Sequence, residues 1–180
     1  MDAFVIRLER LDLVLLSTAC VEALVSARRE QAETLLRAAI PAWWPDEHDV
    51  RFLRLRLEQA NREPSTGEWL VRGLVLRERS ELVGHAGFHG PPGVNGLRKS
   101  GAVELGYTVF PSFRGRGYAG EAAAGLIRWA RDERGVCTFL ASVAPDNEAS
   151  LAIVRKLGFL QVGEQLDGEG GLELVFQLAT

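Results

Sequence analysis

The stretch Arg114-Gly115-Arg116-Gly117-Tyr118-Ala119 constrains this chain more than any other. It separates two runs of different period. Ahead of it, the run from Ala102 to Phe110 reads as a strand. Behind it, Ala119, Ala122, Ala123, Leu126, Ile127 and Ala130 fall on one stripe of an amphipathic helix. A glycine-rich turn therefore delivers the chain into a helix N-terminus. Free backbone N–H groups and the positive end of the helix dipole favour phosphate there. Gly115 and Gly117 let a ligand approach the backbone closely, and Arg114 and Arg116 add positive charge. The turn is expected to hold a pyrophosphate.

Two kinds of ligand carry one. Gly115-x-Gly117-x-x-Gly120 spells the dinucleotide fingerprint GxGxxG. That fingerprint needs a tight turn straight off the strand and an acid about 20 residues on. Here Pro111-Ser112-Phe113-Arg114 intervenes, and Phe139, Leu140, Ala141 and Ser142 stand where the acid belongs. The dinucleotide reading lacks its context.

The same turn resembles the acetyl-CoA pyrophosphate loop of the GNAT superfamily of N-acetyltransferases, Arg/Gln-x-x-Gly-x-Gly/Ala. Arg114, Gly117 and Ala119 occupy its fixed positions. Downstream, Pro145 to Phe159 resembles the family's Asn-x-x-Ser/Ala helix ending in Lys/Arg-x-Gly-Phe, with Asn147, Ser150, Lys156, Gly158 and Phe159 in place. Both segments occur in the family's order and spacing, and the resemblance extends from Leu70 to Phe159. Glu104-Leu105-Gly106-Tyr107 with the two segments looks most like the branch that contains the ribosomal-protein alanine N-acetyltransferases.

The patterns along the chain agree with that fold. Strands are expected at Leu11–Leu16, extended by Phe4–Leu8, and at Trp69–Arg77 and Glu81–His89. Further strands are expected up to Phe110 and over Val136–Val143, and a closing hairpin over Phe159–Leu166 and Leu172–Leu178 turns through 167–171. Helices are expected over Cys20–Ala27, over Glu30–Ala39 with Pro41 as the stop, over Glu47–Arg62 capped by Asp46, and in the two motif segments, with Gly135 closing the first of these. Early helices followed by strands give an α+β, or layered α/β, class. The expected architecture is one GNAT-like domain over 1–180, a mixed, mostly antiparallel sheet of about six or seven strands flanked by helices.

The resemblance implies acetyl-CoA as acyl donor and a primary amine as acceptor. It places the cofactor on Thr108, Val109, Arg114, Gly115, Arg116, Gly117, Tyr118, Ala119 and Asn147, with a backbone N–H near Val109 as the oxyanion donor. Glu104 is the one acid in its strand and the candidate base; paired with Arg72 or Arg98, it would be structural instead. Val154 stands where many family members carry a tyrosine acid for the thiolate, so Ser150 is the substitute. Tyr118 reads as a packing ring, Lys156 as a helix-terminal cation, and Asn147 as a helix cap as well as a pantetheine contact. Trp43, Trp44, His85 and His89 are candidates for the acceptor side, with core packing the competing role of the tryptophans. No metal is expected, because the two histidines have no evident third ligand.

Cys20 and Cys137 show no metal or redox spacing and read as reduced, partly buried thiols. With no histidine near Cys137 in sequence, direct attack by the amine is expected, without an acyl-enzyme. The net charge of −3 and the lack of a basic run argue against nucleic acid. Charges scattered from Asp2 to Asp12 exclude a signal segment, and no apolar run spans a bilayer, so a cytoplasmic protein with no membrane partner is expected. The C-terminal hairpin leaves a homodimer open through its edge strand. A non-catalytic acyl-CoA-binding or interaction module on the same fold is the alternative.

Overall fold

The computed structural model describes residues 5–166, 168 and 170–180. Its strands are β1 (Val5–Arg7), β2 (Leu11–Leu15), β3 (Val71–Leu76), β4 (Glu81–Phe88), β5 (Ala102–Val109), β6 (Thr138–Val143), β7 (Leu160–Leu166) and β8 (Leu172–Ala179). The helices are α1 (Thr18–Val25), α2 (Arg29–Leu36), α3 (Glu47–Arg62), α4 (Tyr118–Arg134) and α5 (Glu148–Lys156). All eight described strands join one sheet in the order β1-β2-β3-β4-β5-β6-β8-β7. Every pairing is antiparallel except β5 with β6, the two strands joined by the right-hand-biased crossover through α4.

Local chemistry accounts for the helix starts. Ser17 Oγ accepts from the Cys20 N–H at 3.2 Å and opens α1. Asp46 and Asp49 form a reciprocal capping box on α3. Asn147 Oδ1 accepts from the Ser150 N–H at 3.1 Å and opens α5. Gly135, at φ 67°, closes α4 in the left-handed conformation. The stripe of Ala122, Ala123, Leu126 and Ala130 is fully buried against the sheet, with Val103, Leu11 and Leu13 in the same core. Burying such side chains contributes about 1.5–3 kcal/mol for each large aliphatic one.

Four expectations need correction. The sheet has eight described strands rather than six or seven, because the Leu8 N–H bonds the Leu11 carbonyl at 2.8 Å and folds β1 back on β2. Phe4, part of the expected extension, lies outside the described residues, as do 167 and 169 of the closing turn. Helix α2 ends at Leu36, well before Pro41, because Arg37 turns left-handed at φ 57°. Pro64–Trp69 is a 3-10 helix, so β3 starts at Val71 rather than at Trp69 as expected. Cys137 is exposed rather than partly buried, whereas Cys20 is buried and its thiol is pushed up to about 11 by desolvation.

Candidate functional site

The parallel pair β5–β6 is short. Ala102, Val103 and Glu104 pair with Thr138, Phe139 and Leu140, and there the pairing ends. Both strands continue, to Val109 and Val143, but apart. A cleft of about 890 Å³ opens along this splay. Its walls are Tyr107, Thr108 and Val109 from β5, the turn and first residues of α4, and Asn147, Ser150, Ile153 and Lys156 from α5.

At one end of the cleft lies the glycine-rich turn. Gly115 and Gly117 have φ of 74° and 82°, a region that L side chains rarely adopt. A Cβ on Gly115 would meet nothing within 4 Å, so the cradle is open to a ligand. Helix α4 begins on Gly117 with no side-chain cap, leaving its first amides to whatever occupies the cleft. The structure brings Arg114, Gly115, Gly117, Tyr118, Ala119 and Asn147 to the cleft with Thr108 and Val109. Arg114 Nε donates to the Val109 carbonyl at 3.0 Å, tying the turn to the strand. Arg116 is not among the lining residues; its Nη2 donates to the Ser112 carbonyl at 3.3 Å and its guanidinium lies 5.8 Å from the Phe113 ring centre.

A second cation stands here that no sequence pattern marks. Arg10, from the β1–β2 turn, lies 4.8 Å from the Tyr118 ring centre and donates through Nη1 to the Arg116 carbonyl at 2.8 Å. Glu121 holds it, accepting from Arg10 Nε at 2.7 Å and from the Arg10 N–H at 2.8 Å. Arg10, Glu121 and Glu9 all line the cleft. Nothing local marks Arg10 in the sequence, since its partners are more than a hundred residues away. Lys156 also reaches the cleft, whatever it contributes at its helix end.

Glu104 is only 2 % exposed, and neither Arg72 nor Arg98 is its partner. Arg72 lies against the Trp129 ring at 4.9 Å. Glu104 Oε1 instead accepts from Ser142 Oγ at 2.6 Å, and Oε2 from the Gly96 N–H at 2.6 Å. Gln165 Nε2 supports Ser142 from β7 at 3.0 Å. His89 Nδ1 faces Oε2 at 3.4 Å. Burial pushes the Glu104 carboxyl up, but His89, Ser142 and the Gly96 amide together outweigh it and hold the group down at about 2. Such a carboxylate has little affinity for a proton, and Glu104 does not line the cleft.

On the α5 side, Ser150 lines the cleft and Asn147 acts as a cap. Val154 is buried in the core and does not line the cleft. The buried Tyr107 hydroxyl lies beside Ser150 without a well-formed hydrogen bond, and burial raises its pKa.

The acceptor candidates divide. Trp44 is buried in the core at 1 % exposure, whereas Trp43 is half exposed and meets Phe110 edge-on at 4.9 Å. His85 is buried between Phe52, stacked at 5.2 Å, and Asp49, whose Oδ1 lies 3.8 Å from Nε2. His89 is 43 % exposed at its side chain. Among the described residues no group of three or more His, Cys, Asp or Glu side chains is placed to hold a metal ion, and no helix is long and apolar enough to cross a membrane.

The acetyltransferase (GNAT) domain family matches residues 10–160. An uncharacterized N-acetyltransferase of Bacillus subtilis, YjdG, is 30 % identical over 158 residues, which is 86 % of either chain. Among solved structures, a GNAT-family acetyltransferase of Bordetella pertussis superposes with a TM-score of 0.68 at 23 % identity, covering 97 % of this chain and 99 % of the other. The microcin C7 self-immunity acetyltransferase MccE, solved with acetyl-CoA and AMP, superposes with a TM-score of 0.64 at 16 % identity, covering 97 % and 94 %.

Proposed function

The chain belongs to the GNAT acetyltransferase family, and from that premise we propose that it transfers an acetyl group from acetyl-CoA to a primary amine, a peptide N-terminus or a small-molecule amine, by direct attack. The observation that carries this reading is the uncapped α4 N-terminus, framed by the two left-handed glycines and opening into the β5–β6 cleft. Those residues fit a pyrophosphate: donors without side-chain partners, a cradle that a Cβ at Gly115 would intrude on, and Arg10, Arg114 and Lys156 around it. When bound, acetyl-CoA supplies an activated thioester.

The rest of the work falls to the chain. The β5 backbone beyond Glu104, free of β6, receives an extended ligand arm and presents a backbone N–H near Val109 to a developing oxyanion. Asn147 and Ser150 border the same cleft from α5. Ser150, with the Tyr107 hydroxyl beside it, is the group nearest to serve a leaving thiolate. Thr108, Tyr118 and Ala119 complete the cofactor wall, and Trp43 and His89 remain exposed for the acceptor. The reading extends to one catalytic domain over 1–180, working in the cytoplasm without metal, nucleic acid or membrane.

Calorimetric titration with acetyl-CoA, with NADH as control, tests it. Gly117→Glu places a strained, negative side chain at the helix N-terminus. We expect saturable acetyl-CoA binding in the wild type, weakened at least tenfold in Gly117→Glu, and turnover with one or more amines of a panel. Binding of NADH in place of acetyl-CoA would overturn the reading. Acetyl-CoA binding without turnover of any amine would favour a binding module.

A further inference from the structure

We propose that His89 is the base that removes the acceptor's proton and that Glu104 is the residue that positions it. The inference rests on the acetyl-transfer reading above. It begins with the ladder: the N–H of His89, the residue that follows β4, donates to the Glu104 carbonyl at 2.8 Å, so His89 stands opposite Glu104 of β5. Residues opposite in an antiparallel pair share a face. On that same face of β5 stand Gly106 and Thr108, and Thr108 lines the cleft.

One imidazole nitrogen is directed at the buried carboxylate. Nδ1 faces Glu104 Oε2, whose carboxylate is itself fixed by Ser142 and the Gly96 amide. That leaves Nε2 as the open nitrogen, and it lies over Gly106, 3.5 Å from where a Cβ would stand. Gly106 is two residues beyond the last β5–β6 rung, at the narrow end of the splay. The cleft lining along β5 stops at Tyr107, next to Gly106, so a ligand with its pyrophosphate at Gly117 and its arm along the splay would bring its reactive end toward His89. From α3, Arg56 Nη1 braces His89 by donating to its carbonyl at 3.2 Å. Glu104 and Arg56 are thus the charged groups set against His89, from β5 and α3, with Asp49 and His85 further along the same face.

The assignment solves the difficulty that Glu104 presents. A carboxylate held permanently ionised in a buried network is a poor proton acceptor, but it orients an imidazole and stabilises the imidazolium that forms. Nε2 takes one proton from the acceptor ammonium. The freed pair on nitrogen forms the C–N bond at the thioester carbonyl carbon, and the C–S bond breaks. The second N–H proton goes to the departing sulfur through the Ser150 hydroxyl, which gives one proton and takes one, or through water, and the imidazolium returns its proton to solvent. The sum is amide, thiol and one released proton.

The test uses the full chain with three variants. His89→Asn keeps a donor toward Glu104 but has no basic nitrogen, His89→Gly opens a space for added imidazole, and Glu104→Gln removes the positioning charge. Acetyl-CoA affinity, measured by calorimetry, is expected to stay within about twofold in the His89 variants. With peptides bearing free alanine or serine N-termini and with spermidine as acceptors, kcat is expected to fall by about 100-fold in His89→Asn. The acid limb of the pH–rate profile is expected to vanish in that variant, and imidazole is expected to restore part of the activity of His89→Gly. Independently of turnover, nitrogen NMR is expected to show neutral His89 protonated at Nδ1 and bare at Nε2, a preference lost in Glu104→Gln. Unchanged kcat and acid limb in His89→Asn, or a proton on Nε2 in the neutral wild type, would overturn the assignment alone. Wild-type protein that turned over none of these amines would instead remove the acetyl-transfer reading and this inference with it.

Discussion

Glu104 shows how one buried side chain can set the behaviour of a site it does not line. Its carboxyl falls from an ordinary value of 4.5 to about 2, a depression that corresponds to about 3 kcal/mol of preference for the ionised form in the folded protein. Because the folded value lies below the unfolded one, that stabilisation is complete above about 4.5 and is lost as the pH falls toward about 2. Glu104→Gln is therefore expected to cost about 3 kcal/mol at neutral pH and to lose this part of the acid sensitivity. Urea unfolding at pH 7 and pH 3 checks it: an equal gap between variant and wild type at both pH values would refute the account. The sequence singled out Glu104 as the one acid of its strand and the candidate base, a role that its depressed carboxyl and its place off the cleft do not favour. Its partners could not be read there, because Gly96 lies in the preceding loop, Ser142 on β6 and Gln165 on β7, and only the sheet order β5-β6-β8-β7 gathers them.

Among the elements, α5 has two separable duties. Its first turn needs the Asn147 cap, and the same residue borders the cleft. Asn147→Ala is expected to lose about 1 kcal/mol of stability. Asn147→Asp restores the cap, since aspartate serves equally well there, but it introduces a negative charge beside an anionic ligand. We expect the Asp variant to melt like the wild type while binding acetyl-CoA several-fold more weakly in calorimetry; wild-type affinity would confine Asn147 to capping. Elements of this kind were legible because caps and amphipathic stripes are local. Asp46 before α3, Asn147 before α5 and Gly135 after α4 each mark their boundary. The failures were equally local in cause. Arg37 ends α2 in a left-handed turn with no glycine to announce it, and Leu8–Arg10 reverses the chain between β1 and β2 without glycine or proline.

At the scale of the molecule, the sheet consists of two halves joined edge to edge by three rungs, Ala102–Thr138, Val103–Phe139 and Glu104–Leu140. The fold class was readable because the two motif segments flank this seam. The acceptor side was less so, since Trp43, Trp44, His85 and His89 share a sequence signal but differ in burial from core to surface. A ligand lying between the halves contacts both. At a hundredfold excess over its dissociation constant, acetyl-CoA is expected to stabilise the fold by about 2.7 kcal/mol. Amide exchange is expected to slow on β5 residues 105–109 and at the start of α5 together. A rise in melting temperature with protection on only one side of the seam would place the ligand elsewhere.

The splay also has a consequence for what counts as an edge. Sheets ordinarily end at their outermost strands, here β1 and β7, where unpaired backbone faces water. This sheet has a further margin in its interior, along β5 from Leu105 to Val109, where the neighbouring strand has turned aside. Backbone donors and acceptors on such a margin select an extended partner with amides of its own, spaced as a peptide would space them. On the proposed reading, a pantetheine arm with its two amides would sit there as a short surrogate strand and complete the hydrogen-bonded ribbon that the polypeptide leaves unfinished.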